Sequence, residues 1–175
     1  MIRALVLVVA AYVAVIVQDF LPPMPFFADA HILLLPILVC YALLWMPFPA
    51  ALAFALYAGL IGDLAMAHID GTQVEIGLGW SMLYYVLLAA ALRFTHIPFR
   101  WETHCLVSGM ATLFLLIVQY LMVSLRRESF ILDGVMGAKI AGPAVAALLL
   151  APIFHLILGL FPGGALRRQK AHPTQ

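Results

Sequence analysis

Six apolar runs, separated by proline, glycine or small clusters of charge, leave this chain few ways to fold. They occupy residues 4–21, 32–46, 50–67, 76–92, 105–125 and 140–161. Only 10% of the 175 residues are charged and 66% are hydrophobic, whereas a soluble domain carries about a quarter charged residues. The runs are continuous rather than alternating, which predicts helices and argues against a β-barrel. The expected fold class is all-α: a polytopic membrane protein, a single integral membrane domain over residues 1–175 with six transmembrane helices. Several runs lie at or below the roughly 17–25 residues of a full crossing, so snorkelling ends or a locally thinned bilayer must absorb the mismatch.

The connectors carry their own signals. The short turn Pro47-Phe48-Pro49 makes the second and third helices antiparallel neighbours. In the polar stretch from His68 to Glu75, Asp70-Gly71 marks a reversal. Thr72 followed by Glu75 has the spacing of a capping box that starts the fourth helix. These structural roles account for Asp70 and Glu75 better than a catalytic carboxylate pair does. The first run follows Arg3 and precedes Ala28-Asp29-Ala30, the spacing of a leader cleavage site. Pro22-Pro23-Met24-Pro25 and the further spans favour an uncleaved first helix.

Orientation follows from the nine Lys and Arg residues. Arg3, Arg93, Arg100, Arg167, Arg168 and Lys170 fall on the side of the N-terminus, and Arg126, Arg127 and Lys139 on the other. Both termini are expected in the cytoplasm. Acids lean the opposite way, with only Glu102 on the cytoplasmic side. The Arg167-Arg168-Gln169-Lys170 tail reads as a topology determinant and an anionic-lipid contact.

One acid stands inside an apolar run. Ala51, Ala55, Gly59 and Asp63 recur every four residues and share one helix face, with Gly62 beside Asp63. Small residues let helices approach closely, and a carboxylate facing lipid is costly. The stripe therefore predicts a helix–helix contact with a polar group at one end. Asp63 is an anchor for a partner helix, a cation site, or an acid wetted by headgroups. In the last helix Ala147, Ala151, His155 and Gly159 form a similar stripe, and Gly134, Ala138, Gly142 and Ala146 a second. His155 is a proton relay or, more simply, a hydrogen-bonding core residue. Pro143 and Pro152 are expected to kink that helix or break its ladder.

Other function classes lose support here. Cys40 and Cys105 lie in apolar stretches and read as buried thiols. The chain has no nucleophile elbow, P-loop, zinc motif or dinucleotide fingerprint. Hence no catalytic residue, cofactor or metal is expected, and the protein reads as a non-enzyme. A net charge of +1 gives no sign of a nucleic-acid partner.

The stretch from Ala28 to Arg93, a little over a third of the chain, resembles the rod shape-determining MreD family. Asp29 precedes an apolar helix containing Tyr41, and the tight turn Leu44-Trp45-Met46-Pro47-Phe48-Pro49 follows. A helix then ends in Ala58-Gly59-Leu60-Ile61-Gly62-Asp63-Leu64. After it come the loop from Gly71 to Gly77 and a helix closed by Arg93. Two features depart from the family pattern. Phe27-Ala28 stand where it usually has Arg-Pro, and the run from Asp63 to Gly71 is longer than the family's loop. The resemblance implies a scaffold of the bacterial elongation machinery in the cytoplasmic (inner) membrane. Such a protein binds a single-span MreC-like partner and, through it, peptidoglycan synthases and MreB filaments. It also implies a fold similar to the substrate-binding subunits of energy-coupling-factor transporters. That similarity supplies the alternative, a membrane subunit binding a vitamin-type small molecule through Asp63, Asp70 and Glu75.

The charge count generates the first prediction. A reporter active only outside the cytoplasm, fused after Gln175, gives no signal; a strong signal would mean an odd number of spans or a reversed orientation.

Overall fold

The computed structural model describes residues 2–65, 69–70, 73–74, 79–95, 100–126, 130 and 133–159. Among them six α-helices follow in order: α1 (Ile2–Phe20), α2 (Leu35–Trp45), α3 (Phe48–Ala65), α4 (Trp80–Phe94), α5 (Trp101–Arg126) and α6 (Gly134–Gly159). A 3₁₀ turn, Pro25–Phe27, lies between α1 and α2. A small antiparallel hairpin, β1 (Ile69–Asp70) and β2 (Gln73–Val74), pairs Ile69 with Val74 and Asp70 with Gln73. The chain thus reverses in the polar stretch where the sequence places a turn. Gly71, the Thr72–Glu75 capping box, Arg127-Glu128 and the basic tail lie outside the described residues.

Helix α2 organises the bundle. It is apolar on every face, so it belongs in a core, and it touches each of the other five helices. Every side chain from Leu35 to Ala42 is buried. Its 11 residues rise about 16 Å, roughly half the hydrocarbon thickness. Helix α2 thus lies enclosed by the rest of the bundle. Pro36 sits in its first turn, where an N–H has no intrahelical acceptor.

Three helical stretches are long and apolar enough to cross a membrane: Phe48–Ala65, Trp101–Leu125 and Gly134–Gly159. Ala4–Phe20, Leu35–Trp45 and Trp80–Phe94 are shorter apolar helices. The chain is thus a helical membrane protein with at least these three segments of spanning length among the described residues.

Several boundaries differ from the sequence reading. Helix α4 begins at Trp80 rather than Ile76, because Gly79 takes φ 106 at its N-cap and breaks the run. Helix α5 begins at Trp101, which brings His104 out of the expected connector and into its first turn. Helix α6 begins at Gly134, where the Asp133 carboxylate accepts the Met136 N–H at 2.8 Å. It runs through both Pro143 and Pro152 as one element.

Helix α1 shows how the outer layer is made. Leu7, Ala11 and Ala14 point inward, at the spacing of one helix face. Leu5, Val9, Tyr12, Val13, Ile16 and Val17 point outward. An apolar exterior of this kind suits lipid and would be a liability in water.

Glycines set the tightest contacts. A Cβ on Gly59 would lie 2.6 Å from the Met82 backbone of α4, so only glycine permits this approach of α3 and α4. A Cβ on Gly142 would meet Phe27 at 2.6 Å, docking the 3₁₀ turn against α6. By contrast Gly137 faces open space. Gly59→Ala is expected to destabilise by about 1–3 kcal/mol through overpacking. Gly137→Ala should be neutral or stabilising by up to about 1 kcal/mol. Thermal unfolding of the purified variants in one detergent checks the contrast.

Candidate functional site

Asp63 lies two residues before the last residue of α3 and is 5% exposed. It is therefore not an acid wetted by headgroups. Its carboxylate accepts the Gly79 N–H at 2.6 Å and the Ser81 N–H at 3.1 Å. These are the first amides of α4, whose own N-cap residue, Gly79, supplies no side-chain acceptor. Helix starts expose N–H groups that need an acceptor and carry partial positive charge. Asp63 meets both needs from a different helix, so the polar anchor holds α4 of its own chain.

The rest of the stripe builds the same joint. Ala51 and Ala55 are buried, and Gly59 brings the Met82 backbone against α3. Gly62 is buried too, with Leu35 of α2 at 3.1 Å from where its Cβ would stand. At the other end of this helix pair, the Arg93 guanidinium lies over the Phe48 ring, 6.0 Å from its centroid. Helices α3 and α4 are thus tied at both ends and pressed together in the middle.

A small, mostly apolar cavity of about 20 Å³ opens beside the joint. Gln18, Gly62, Ser81, Tyr85 and Gln119 line part of it, with Leu33 and Pro36. It has room for about one water. Gln18 also accepts the Leu34 N–H at 3.1 Å through Oε1 and so caps α2 from α1. A ligand cavity for a drug-sized molecule is typically at least about 300 Å³.

The stripe on α6 leads to a second cluster, at the opposite end of the bundle. Ala147 and Ala151 are fully buried, and His155 is half-buried one turn beyond. Gly134 and Gly159 are exposed. His155 meets Tyr41 and Trp45 of α2 and His104 of α5. Ring centroids are 6.1 Å apart for Tyr41–His155, 5.2 Å for Trp45–His155 and 6.0 Å for His104–His155. Tyr41 also meets His104 edge-on at 5.7 Å. His104 is 0% exposed, and its Nε2 lies 3.1 Å from the Ile37 carbonyl oxygen.

His104, Ser108 and Thr112 form a buried polar stripe on α5, each one turn from the next. Thr112 returns its hydroxyl to the Ser108 carbonyl at 2.8 Å. Tyr84 donates to the Ala111 carbonyl at 2.6 Å and links α4 to α5. The sequence reading missed His104, Gln18, Gln119 and Tyr41 as site residues. The four-residue spacing of His104, Ser108 and Thr112 was the available signal, obscured by ending the preceding connector at His104.

Cys40 and Cys105 are buried free thiols. Among the described residues no group of three His, Cys, Asp or Glu side chains has the geometry to hold a metal ion. No family model, curated protein or solved structure matches the chain.

The Asp63 joint yields a stability prediction. Asp63→Ala leaves the buried Ser81 N–H and the part-buried Gly79 N–H without their acceptor and should cost about 2–3 kcal/mol. Asp63→Asn should cost less, because its amide oxygen still accepts one of them. Unfolding midpoints in detergent check the order, and faster hydrogen exchange at Gly79 and Ser81 would locate the loss at the start of α4.

Proposed function

We infer that this chain is a non-enzymatic membrane scaffold of the bacterial cell-elongation complex, the machinery of rod shape and peptidoglycan synthesis. It binds a single-span MreC-like partner, with membrane lipid around the remaining apolar surface. Synthases and MreB filaments are reached indirectly through that partner. In this reading the chain sits in the cytoplasmic membrane as six spans, with both termini inside.

One observation carries the reading. The Gly62-Asp63 pair, which belongs to the stretch resembling the MreD family, is a joint between helices. Its carboxylate is committed to two backbone amides of the same chain. A rigid α3–α4 pair with outward apolar residues such as Leu60, Leu83 and Leu87 suits a partner surface. Among the described residues, which leave out Gly71, Thr72 and Glu75, the cavity beside Asp63 measures about 20 Å³, whereas the rival reading, a vitamin-type transport subunit, asks for a chamber of at least about 300 Å³.

Co-expression with an MreC-like single-span protein tests the proposal. The wild-type chain should retain that partner through detergent purification. Asp63→Ala should weaken capture only partially, by loosening the α3–α4 pair that presents the partner surface. The same preparations are titrated with vitamin-type ligands. No capture by the wild type, together with saturable small-molecule binding lost in Asp63→Ala, would replace the scaffold by the transport subunit.

A further inference from the structure

His104 is fully buried, yet only one of its ring nitrogens is satisfied. The Ile37 carbonyl can only accept, so Nε2 must carry the hydrogen of that 3.1 Å contact. In the neutral ring Nδ1 is then a bare acceptor, and among the described residues it has no hydrogen-bond partner. A buried acceptor left unmatched costs about 1–3 kcal/mol. The neighbouring ring able to donate a charge-assisted hydrogen bond is His155, 6.0 Å away between centroids. His155 is half-buried and lies one turn from the end of α6. It also lies three residues beyond Pro152, which lacks the N–H that would tie this last stretch of α6 to the preceding turn.

The other faces of the cluster suit one positive charge and no more. Tyr41 and Trp45 present ring faces and edges from α2, within 5.2–6.1 Å of the histidines, a setting that favours a cation. The titratable and charged groups nearby are Cys40 and Tyr41 on α2, Cys105 and the exposed Glu102 flanking His104 on α5, and the exposed Arg100 one turn before His104. From α4, Tyr84 reaches α5 only at Ala111, two turns away. Two imidazolium rings at this separation would repel each other.

We propose that His104 and His155 take up a single shared proton, and that this proton latches the end of α6 to α5. On acidification a proton from solution enters His155, whose ring N–H then donates to Nδ1 of His104. The pair gains one charge, and no other group changes its protonation. The latch is made below the midpoint of the step and released above it, so the end of α6 is tighter in acid.

The chain's three tryptophans, Trp45, Trp80 and Trp101, make the test direct. In a Trp80→Phe/Trp101→Phe background Trp45 is the sole indole, and an imidazolium in contact with an indole quenches its emission. The variant is reconstituted in liposomes and titrated from about pH 8 to about pH 5, the range in which histidines change charge. A reversible one-step loss of emission is expected. His155→Gln should abolish the step, and His104→Phe, which removes the acceptor, should displace it toward acid by about one pH unit or more. Hydrogen exchange over residues 153–159 should slow through the same step. Flat emission and flat exchange in the protein with both histidines overturn the proposal, whatever the variants do. So does a step that both substitutions leave in place.

Discussion

Inside a bilayer a helix cannot leave its first amides bare, and this requirement shapes one whole end of the molecule. Three helices start there, and each finds an acceptor. Helix α6 uses Asp133 next door, α2 uses Gln18 of α1, and α4 uses Asp63 of α3. In two of the three cases the acceptor comes from another helix, at sixteen or more residues' separation. Where water is excluded an unmatched N–H costs several kcal/mol, so the two remote bonds, unlike the exposed Asp133 cap, fix which helix ends must be neighbours. They also give a physical reason for the lean of acids toward that end, since helix starts favour negative charge.

Close packing does the rest. With lipid outside, burial of apolar surface gives helices little reason to prefer each other, and fit between surfaces decides. Glycine at 59 and 142 allows approaches that a methyl group would block. The two most extensive helix contacts, α5 with α6 and α3 with α4, are both rich in small residues. Between them α2 fills the centre and touches every other helix. The irregular turn at Pro25–Phe27 is held by the Met24–Ala30 bridge and by Phe27 packed on Gly142. Non-helical backbone at this depth is tolerated where protein covers it.

The helical class was legible because continuous apolar runs have few alternatives. The inward position of the Ala51–Ala55–Gly59–Asp63 stripe was legible too, since four-residue spacing of small residues has one geometric meaning. What Asp63 binds was not. The atoms that satisfy it are backbone amides of Gly79 and Ser81, and backbone amides leave no trace in residue identity. The start of α4 was misplaced for the same reason: the acceptor for its first amides is remote, on Asp63 of α3. The length of α2 was hidden because an apolar core helix and a short span have the same composition. The histidine cluster needed three helices to be brought together before it could be seen, and nothing in the sequence separation of Tyr41, His104 and His155 indicates that they meet.

Remote capping also sets an order of assembly. As the chain emerges, α1 is made before the helix whose first amides it satisfies, and so is α3. Each cap donor can enter the bilayer only at a penalty unless its acceptor is already alongside. The remote caps thus couple α1 to α2 and α3 to α4, so that each pair has its amides matched only as a helical hairpin. Helix α6 carries its own acceptor at Asp133 and is free of that constraint. The long α5–α6 contact can therefore form last and close the bundle around α2.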